Sequence, residues 1–248
     1  MRSLNFTKII AILAFLGLAA FSCFGNTYKD VDAIRNEMNQ AYNNQNYTKA
    51  RELALTIPDD ATAQNCLGDI YAKPPFGGTH DFAQALKWYK KAAKQGYAKA
   101  QYNIGDMYRC GHGVPRDPAK AMKWYRKAAK QGYAKAQYDL GLSYLYGYDV
   151  KQDTAQAMNW WLKAAEQGYV QAQRGLGSIY YYRVEDFVQA VHWYCKAAEQ
   201  GDADAQYHLG MIYKYGYGVA KDINEARRWY EKAAAQGSEL AKDALKRL

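Results

Sequence analysis

Small and apolar residues recur along most of this chain in one long pattern. The pattern starts at Ala61, Ala98, Ala134, Val170, Ala203 and Glu239, at spacings of 37, 36, 36, 33 and 36 residues. Each full unit opens with Ala-x-Ala-Gln or a close variant, as in Ala98 to Gln101, Ala134 to Gln137, Val170 to Gln173 and Ala203 to Gln206. A Leu-Gly or Ile-Gly pair follows, and then a tyrosine. Ala100, Ile104 and Tyr108 lie four residues apart, as do Ala205, Leu209 and Tyr213, so each trio shares one face of a predicted helix. Glycine inside a helix costs about 1 kcal/mol relative to alanine. Its return at Gly68, Gly105, Gly141, Gly177 and Gly210 therefore implies close approach of a neighbouring helix.

A turn and a second helix complete each unit. Gly111 to Val114 and Gly216 to Val219 supply glycines for left-handed turn geometry. Asp81, Asp117, Asp153, Asp186 and Asp222 then stand where a side-chain oxygen can cap the next helix, and Pro118 suits the first helical position. The second helix carries Ala-x-x-Trp-Tyr-x-Lys-Ala-Ala and closes at Gln-Gly, as in Ala121 to Gly132. All six tryptophans lie in this motif: Trp88, Trp124, Trp160, Trp193 and Trp229, plus Trp161 in place of the usual tyrosine. Small alanines surround them, so the expectation is that the indoles build the core between helices.

Two-helix units of this length cannot bury their apolar faces alone and must stack. The predicted fold is therefore all-α, a solenoid of tandem helix-turn-helix repeats. The boundaries are repeats at 61–97, 98–133, 134–169, 170–202 and 203–238, a degenerate capping pair in 26–60, and a C-terminal capping helix at 239–248. Val31 to Tyr42 and Tyr47 to Leu55 are the helices of the capping pair. Two repeats are irregular. The first replaces the glycine turn with a longer, proline-stiffened segment, Lys73 to His80, and the fourth passes from Tyr180-Tyr181-Tyr182 straight to Asp186. A local change of curvature is expected there.

These units resemble the Sel1-like repeat family, relatives of the tetratricopeptide proteins, from about Ala61 to the C-terminus. The resemblance implies a right-handed superhelix whose first helices line a concave surface, in proteins that serve mostly as adaptors or secreted interaction factors in bacteria. Carrying over the groove-facing positions of the tetratricopeptide fold points to Lys99, Tyr102, Asp106 and Arg109; Lys135, Tyr138, Leu142 and Leu145; Gln171, Arg174, Ser178 and Tyr181; and Asp204, Tyr207, Met211 and Lys214. Tyr102, Asp106, Arg109, Tyr138, Arg174, Tyr181, Tyr207 and Lys214 are the candidate partner-binding residues, with packing between first helices as the alternative role for several of them, Tyr102, Tyr138 and Tyr207 above all. A protein or peptide is the expected ligand, and cell-wall glycan is the second class. Some cysteine-rich relatives bind or hydrolyse β-lactams, which is the enzymatic alternative.

The first 25 residues read as an export signal: Arg2 and Lys8 precede an unbroken apolar or small run from Ile9 to Phe21. That run is shorter than the roughly 20 residues a membrane-crossing helix needs, so no transmembrane anchor is expected. Ala20-Phe21-Ser22-Cys23 loosely matches a lipobox, which makes Cys23 a candidate for lipidation. Export to a periplasm or the extracellular space is the resulting expectation. The formal charge is +9, two units of it from Arg2 and Lys8, and basic residues interleave with acidic ones through every repeat. Such spreading argues against a nucleic-acid partner and leaves a mild preference for anionic surfaces.

The chemistry of catalysis is missing from the pattern. His80, His112, His192 and His208 are scattered over four units without metal-site spacing. Beyond the signal only Cys66, Cys110 and Cys195 remain, an odd number, with Cys66 and Cys195 read as small buried side chains. None of the five serines, Ser3, Ser22, Ser143, Ser178 and Ser238, precedes a lysine by three residues, and no Lys-Thr-Gly occurs. The chain is thus expected to be a monomeric binding protein, without catalytic residues, metal or cofactor.

Overall fold

The five aspartates that precede second helices all make the caps their position suggests. Asp81, Asp117, Asp153, Asp186 and Asp222 accept hydrogen bonds from the backbone amides of Gln84, Lys120, Gln156, Gln189 and Glu225 at 2.9–3.0 Å, satisfying donors that the helix leaves unpaired. The far ends close as regularly. Gly132 has φ +87°, a left-handed angle that glycine adopts without strain, and the Tyr133 amide bonds back to the Ala128 carbonyl at 3.1 Å. The same closure recurs after each second helix.

The computed structural model describes residues 31–73 and 79–248. The proposed signal, Cys23 and the centre of the proline-rich turn lie outside them. Thirteen α-helices and no strand occur among the described residues: α1 at 31–43, α2 Tyr47–Thr56, α3 Ala61–Ala72, α4 Phe82–Lys94, α5 Ala98–Cys110, α6 Pro118–Lys130, α7 Ala134–Tyr146, α8 Thr154–Glu166, α9 Val170–Ile179, α10 Phe187–Glu199, α11 Ala203–Tyr215, α12 Ile223–Ala235 and α13 Glu239–Lys246. None is long and apolar enough to cross a membrane. The chain is the all-α solenoid class anticipated from its period.

Two units divide the chain. The first runs to Ile104 and takes in His112–Val114; the second holds Gly105–Gly111 and Pro115–Leu248. In the first, α1 to α3 close over Met38, Ala50, Ala54, Ala63, Cys66 and Leu67. In the second, first and second helices alternate, each packing on the next from α6 to α13. One cluster joins Leu145, Trp161, Ala165, Leu176, Ile179 and Trp193, a second joins Ala190, Tyr194, Ala205, Leu209 and Ile212, and Tyr230 with Ala226, Ala233 and Ala241 closes the end under α13.

The tryptophans require a correction. Only Trp193, 6% exposed, and Trp161 are fully buried; Trp88, Trp124, Trp160 and Trp229 are half-buried. The ring that fills the space inside each helix pair belongs to the next residue: Tyr89, Tyr125, Trp161, Tyr194 and Tyr230 are all buried. Neighbouring residues point about 100° apart on a helix, so only one of the two can face the partner helix. Each inner ring lies where a Cβ would be on the recurrent glycine, as Tyr125 does at 2.7 Å from that point on Gly105. Those glycines therefore make room for a ring. Two of the outer indoles cover the seam to the preceding helix pair, Trp88 against the α1–α3 cluster and Trp229 against the α10–α11 cluster. In all five repeats a lysine three residues on lies over the indole, at 3.9–4.9 Å from its centre.

Glutamines tie the stack in register. Buried Gln137, Gln173 and Gln206 donate to the carbonyls of Ala129, Ala165 and Ala198 at 3.0–3.1 Å, reaching back to the preceding second helix. Their side-chain oxygens accept from Gln167, Gln200 and Gln236 at 2.8 Å, the glutamines that close their own repeats. The fourth repeat absorbs its missing turn differently. Tyr180–Val184 widen into a π-helical turn, and Glu185 takes a left-handed φ of +60° in place of a turn glycine.

Candidate functional site

Trp161 is the one inner ring that is larger than tyrosine, and its extra length has a place to go. It meets α7 at Gly141 and reaches on to α9, where a Cβ on Gly175 would lie 2.6 Å from the indole. The positions equivalent to Gly175 in the other repeats hold Cys66, Asn103, Asp139 and His208. The larger ring and the smaller neighbour therefore go together. The Trp161 indole also donates to the Tyr138 carbonyl at 3.0 Å, and the Tyr138 ring stacks on it with centroids 5.7 Å apart and planes 16° from parallel.

Removal of a side chain at Gly175 leaves a groove between α7 and α9. Tyr138, Leu142, Leu145 and Tyr146 line one side, Gln171, Arg174, Ser178 and Ile179 the other, with Tyr182 and Arg183 of the π turn at one end and Trp161 with Gly175 as the floor. Tyr146 and Tyr182 are 55% and 58% exposed. Arg174 is held in place from α11, paired with Asp204 and lying 3.6 Å from Asp202. Burial raises the Tyr138 phenol above its ordinary range, and the Arg174 charge partly offsets that.

Of the candidates named from sequence, the groove brings together Tyr138 and Arg174, together with Leu142, Leu145, Gln171 and Ser178. The others go elsewhere. Tyr102 is only 4% exposed, which removes it from any contact surface. Asp106 accepts from the Tyr125 hydroxyl at 2.6 Å and pairs with Arg109 at 3.0 Å, so these two side chains brace the inner ring of their own repeat. Tyr181 belongs to an aromatic cluster with Tyr182, Phe187, Tyr217 and His208, where burial pushes its phenol up to about 12. Tyr207 packs beside His208 and Tyr230, and Lys214 donates to the Arg247 carbonyl at 3.3 Å. Sequence reasoning missed Trp161 and Gly175 as a pair, although the signal was the simultaneous departure of both positions from their repeats.

Several of the remaining reactive groups have structural partners or are buried. Cys66 is buried, its thiol pushed up to about 12 by that burial. Cys195 is half-buried and Cys110 exposed. Ser178 accepts from the Tyr194 hydroxyl at 3.0 Å, Ser143 donates to the Asp139 carbonyl at 3.0 Å, and Ser238 caps α13. Among the described residues no three His, Cys, Asp or Glu side chains gather as metal ligands would.

Known proteins share both the sequence pattern and the fold. The Sel1 repeat family matches at residues 61–97, 98–133, 134–169, 170–202 and 203–238. A Sel1 repeat protein from Oxalobacter formigenes is 33% identical and superposes with a TM-score of 0.72 over 86% of each chain. A protective antigen of uropathogenic Escherichia coli strains, described as displaying an SLR fold, is 37% identical with a TM-score of 0.68, over 81% of this chain and 42% of that one. Among curated proteins, the DAP3-binding cell death enhancer 1 of Rattus norvegicus is 44% identical over 57 residues, 23% of this chain. The chain spans about a tenth of that relative's length. Five consecutive matching repeats, folded as stacked helix pairs, place this chain in the Sel1 repeat family.

Proposed function

We propose that this Sel1 repeat protein is an exported scaffold that holds a protein or peptide partner in the groove between α7 and α9, without catalysing a reaction. The observation that carries the reading is the Trp161–Gly175 floor, which opens a recess between tyrosine walls where two successive repeats, 134–169 and 170–202, each depart from the pattern at a facing position. Tyrosine and arginine dominate binding hot spots because they join large contact area to hydrogen bonding. Tyr138, Tyr146, Arg174 and Tyr182 place both types around one recess. Sel1 repeats typically mediate contacts between proteins, and one relative is named for binding DAP3. The apolar run after Lys8 supports export, and Cys23 is the residue that would carry a lipid anchor.

Affinity capture with the mature chain as bait tests the reading, alongside Tyr146→Ala/Arg174→Ala/Tyr182→Ala. These side chains lie at the rim, so the variant is expected to keep its helical circular dichroism and lose the captured protein by at least about tenfold, the scale of one removed hot spot. Equal capture by both baits counts against the groove. Sedimentation with purified cell-wall glycan that depends on the same three residues would assign the groove to carbohydrate instead.

A further inference from the structure

Charge separates the second helices more sharply than any other property. α8 and α10 each carry one lysine against one glutamate, and α12 mixes Arg227, Arg228 and Lys232 with Glu225 and Glu231. α6 carries Lys120, Lys123, Arg126, Lys127 and Lys130 with no acidic residue. The interleaving read from the whole sequence therefore fails here. These five cations and Trp124 line one shallow, open depression on the outer side of α6. Lys120 is tied to the capping Asp117 at 2.9 Å, and Lys127 lies 4.5 Å over the Trp124 ring. Lys123, Lys127 and Lys130 make no ion pair among the described residues. α4, in the other unit, repeats the arrangement by itself with Lys87, Lys90, Lys91 and Lys94 and no acidic residue.

Lysines 120, 123, 127 and 130 follow each other at three- and four-residue steps, which aligns them on one face over about 15 Å. Like charges at that spacing repel and weaken the helix, and an anionic surface laid across them removes the repulsion. The face is open, so it has no channel to track a single strand. The Trp124 ring is covered by Lys127, so it offers no platform for a base. Lysines beside an indole are the side chains that sit best where water meets phospholipid headgroups. We propose that the exposed face of α6 docks on an anionic phospholipid surface. This is independent of the groove between α7 and α9.

Co-sedimentation of the full chain with vesicles tests it. One set is phosphatidylcholine alone and the other carries about a third phosphatidylglycerol. The apolar run Ile9 to Phe21 can enter both, so the readout is the difference between them. Partition to the anionic vesicles should be about tenfold higher at low salt and should collapse near 0.5 M sodium chloride, where screening is short-ranged. Lys123→Gln/Lys127→Gln/Lys130→Gln should lower the anionic partition about fivefold or more, and the matched Arg227→Gln/Arg228→Gln/Lys232→Gln less than about twofold. Equal partition to both vesicle types, or equal loss in both triple variants, overturns the proposal. Tighter binding to duplex DNA than to the anionic vesicles at matched salt also overturns it.

Discussion

A side chain in this protein is chosen as much by the residue opposite it as by its own helix. Gly141 faces the Trp161 indole so closely that a Cβ there would overlap the ring. Gly141→Ala would gain about 1 kcal/mol of helix propensity, but overpacking costs typically 1–3 kcal/mol and should win, for a net loss of up to about 2 kcal/mol in urea denaturation. His208 stacks on Tyr194 with centroids 4.9 Å apart and lies against Tyr181, Tyr182 and Tyr207, with its Nδ1 unpartnered. Burial lowers its pKa below the ordinary 6.5; Asp204 and Asp202 oppose that shift, and Arg174 adds to it. Above that value the ring is neutral in both states. As pH falls below it, the unfolded chain takes up a proton that the folded chain resists, so stability falls with pH. Thermal melts at pH 7 and 5 should show that decline, and His208→Phe should reduce it while keeping the stack.

Between elements, the glutamine ladder sets register. Gln173 joins three helices: it sits on α9, donates to the end of α8 and accepts from the end of α10. Gln173→Leu keeps the volume but removes both bonds between helices, leaving the Ala165 carbonyl its bond from the Gly168 amide and the Gln200 amide its bonds to the Gly168 and Lys196 carbonyls, at a cost of about 1–3 kcal/mol for the two bonds lost, read as a lower urea midpoint with an unchanged slope. The π turn offers the opposite change. Glu185 holds a left-handed angle that costs a side-chain-bearing residue about 1 kcal/mol, so Glu185→Gly should stabilise by up to about that much. Helix ends, caps and the repeat period were legible in the sequence because each depends on neighbours within a few residues. The choice of inner ring was not, since Trp and Tyr are adjacent in the motif and both are large. The groove was half legible: Tyr138 and Arg174 followed from repeat positions, while its floor depends on two residues 14 apart that meet only when α8 packs on α9. The π turn leaves no local mark beyond the three-residue deletion.

At the level of the whole protein, five repeats of one plan carry two surfaces that the plan does not dictate, a groove and a cationic helix face. The inner rings, glutamines and caps recur because every repeat must stack on the next. The groove at α7 and α9 and the all-cationic faces of α6 and α4 are confined to some repeats, where the stacking constraint leaves residue type open. The proposed binding role would then be carried by departures from the repeat, and the Trp161–Gly175 pair is the departure that shapes a recess. Site-directed photo-crosslinking tests this most directly, with the photoreactive residue placed either at Gln171 in the groove or at Lys163 on the outer side of α8. A discrete adduct with the captured partner is expected from position 171 and none from position 163. Adducts from both positions alike, or from 163 alone, would contradict it.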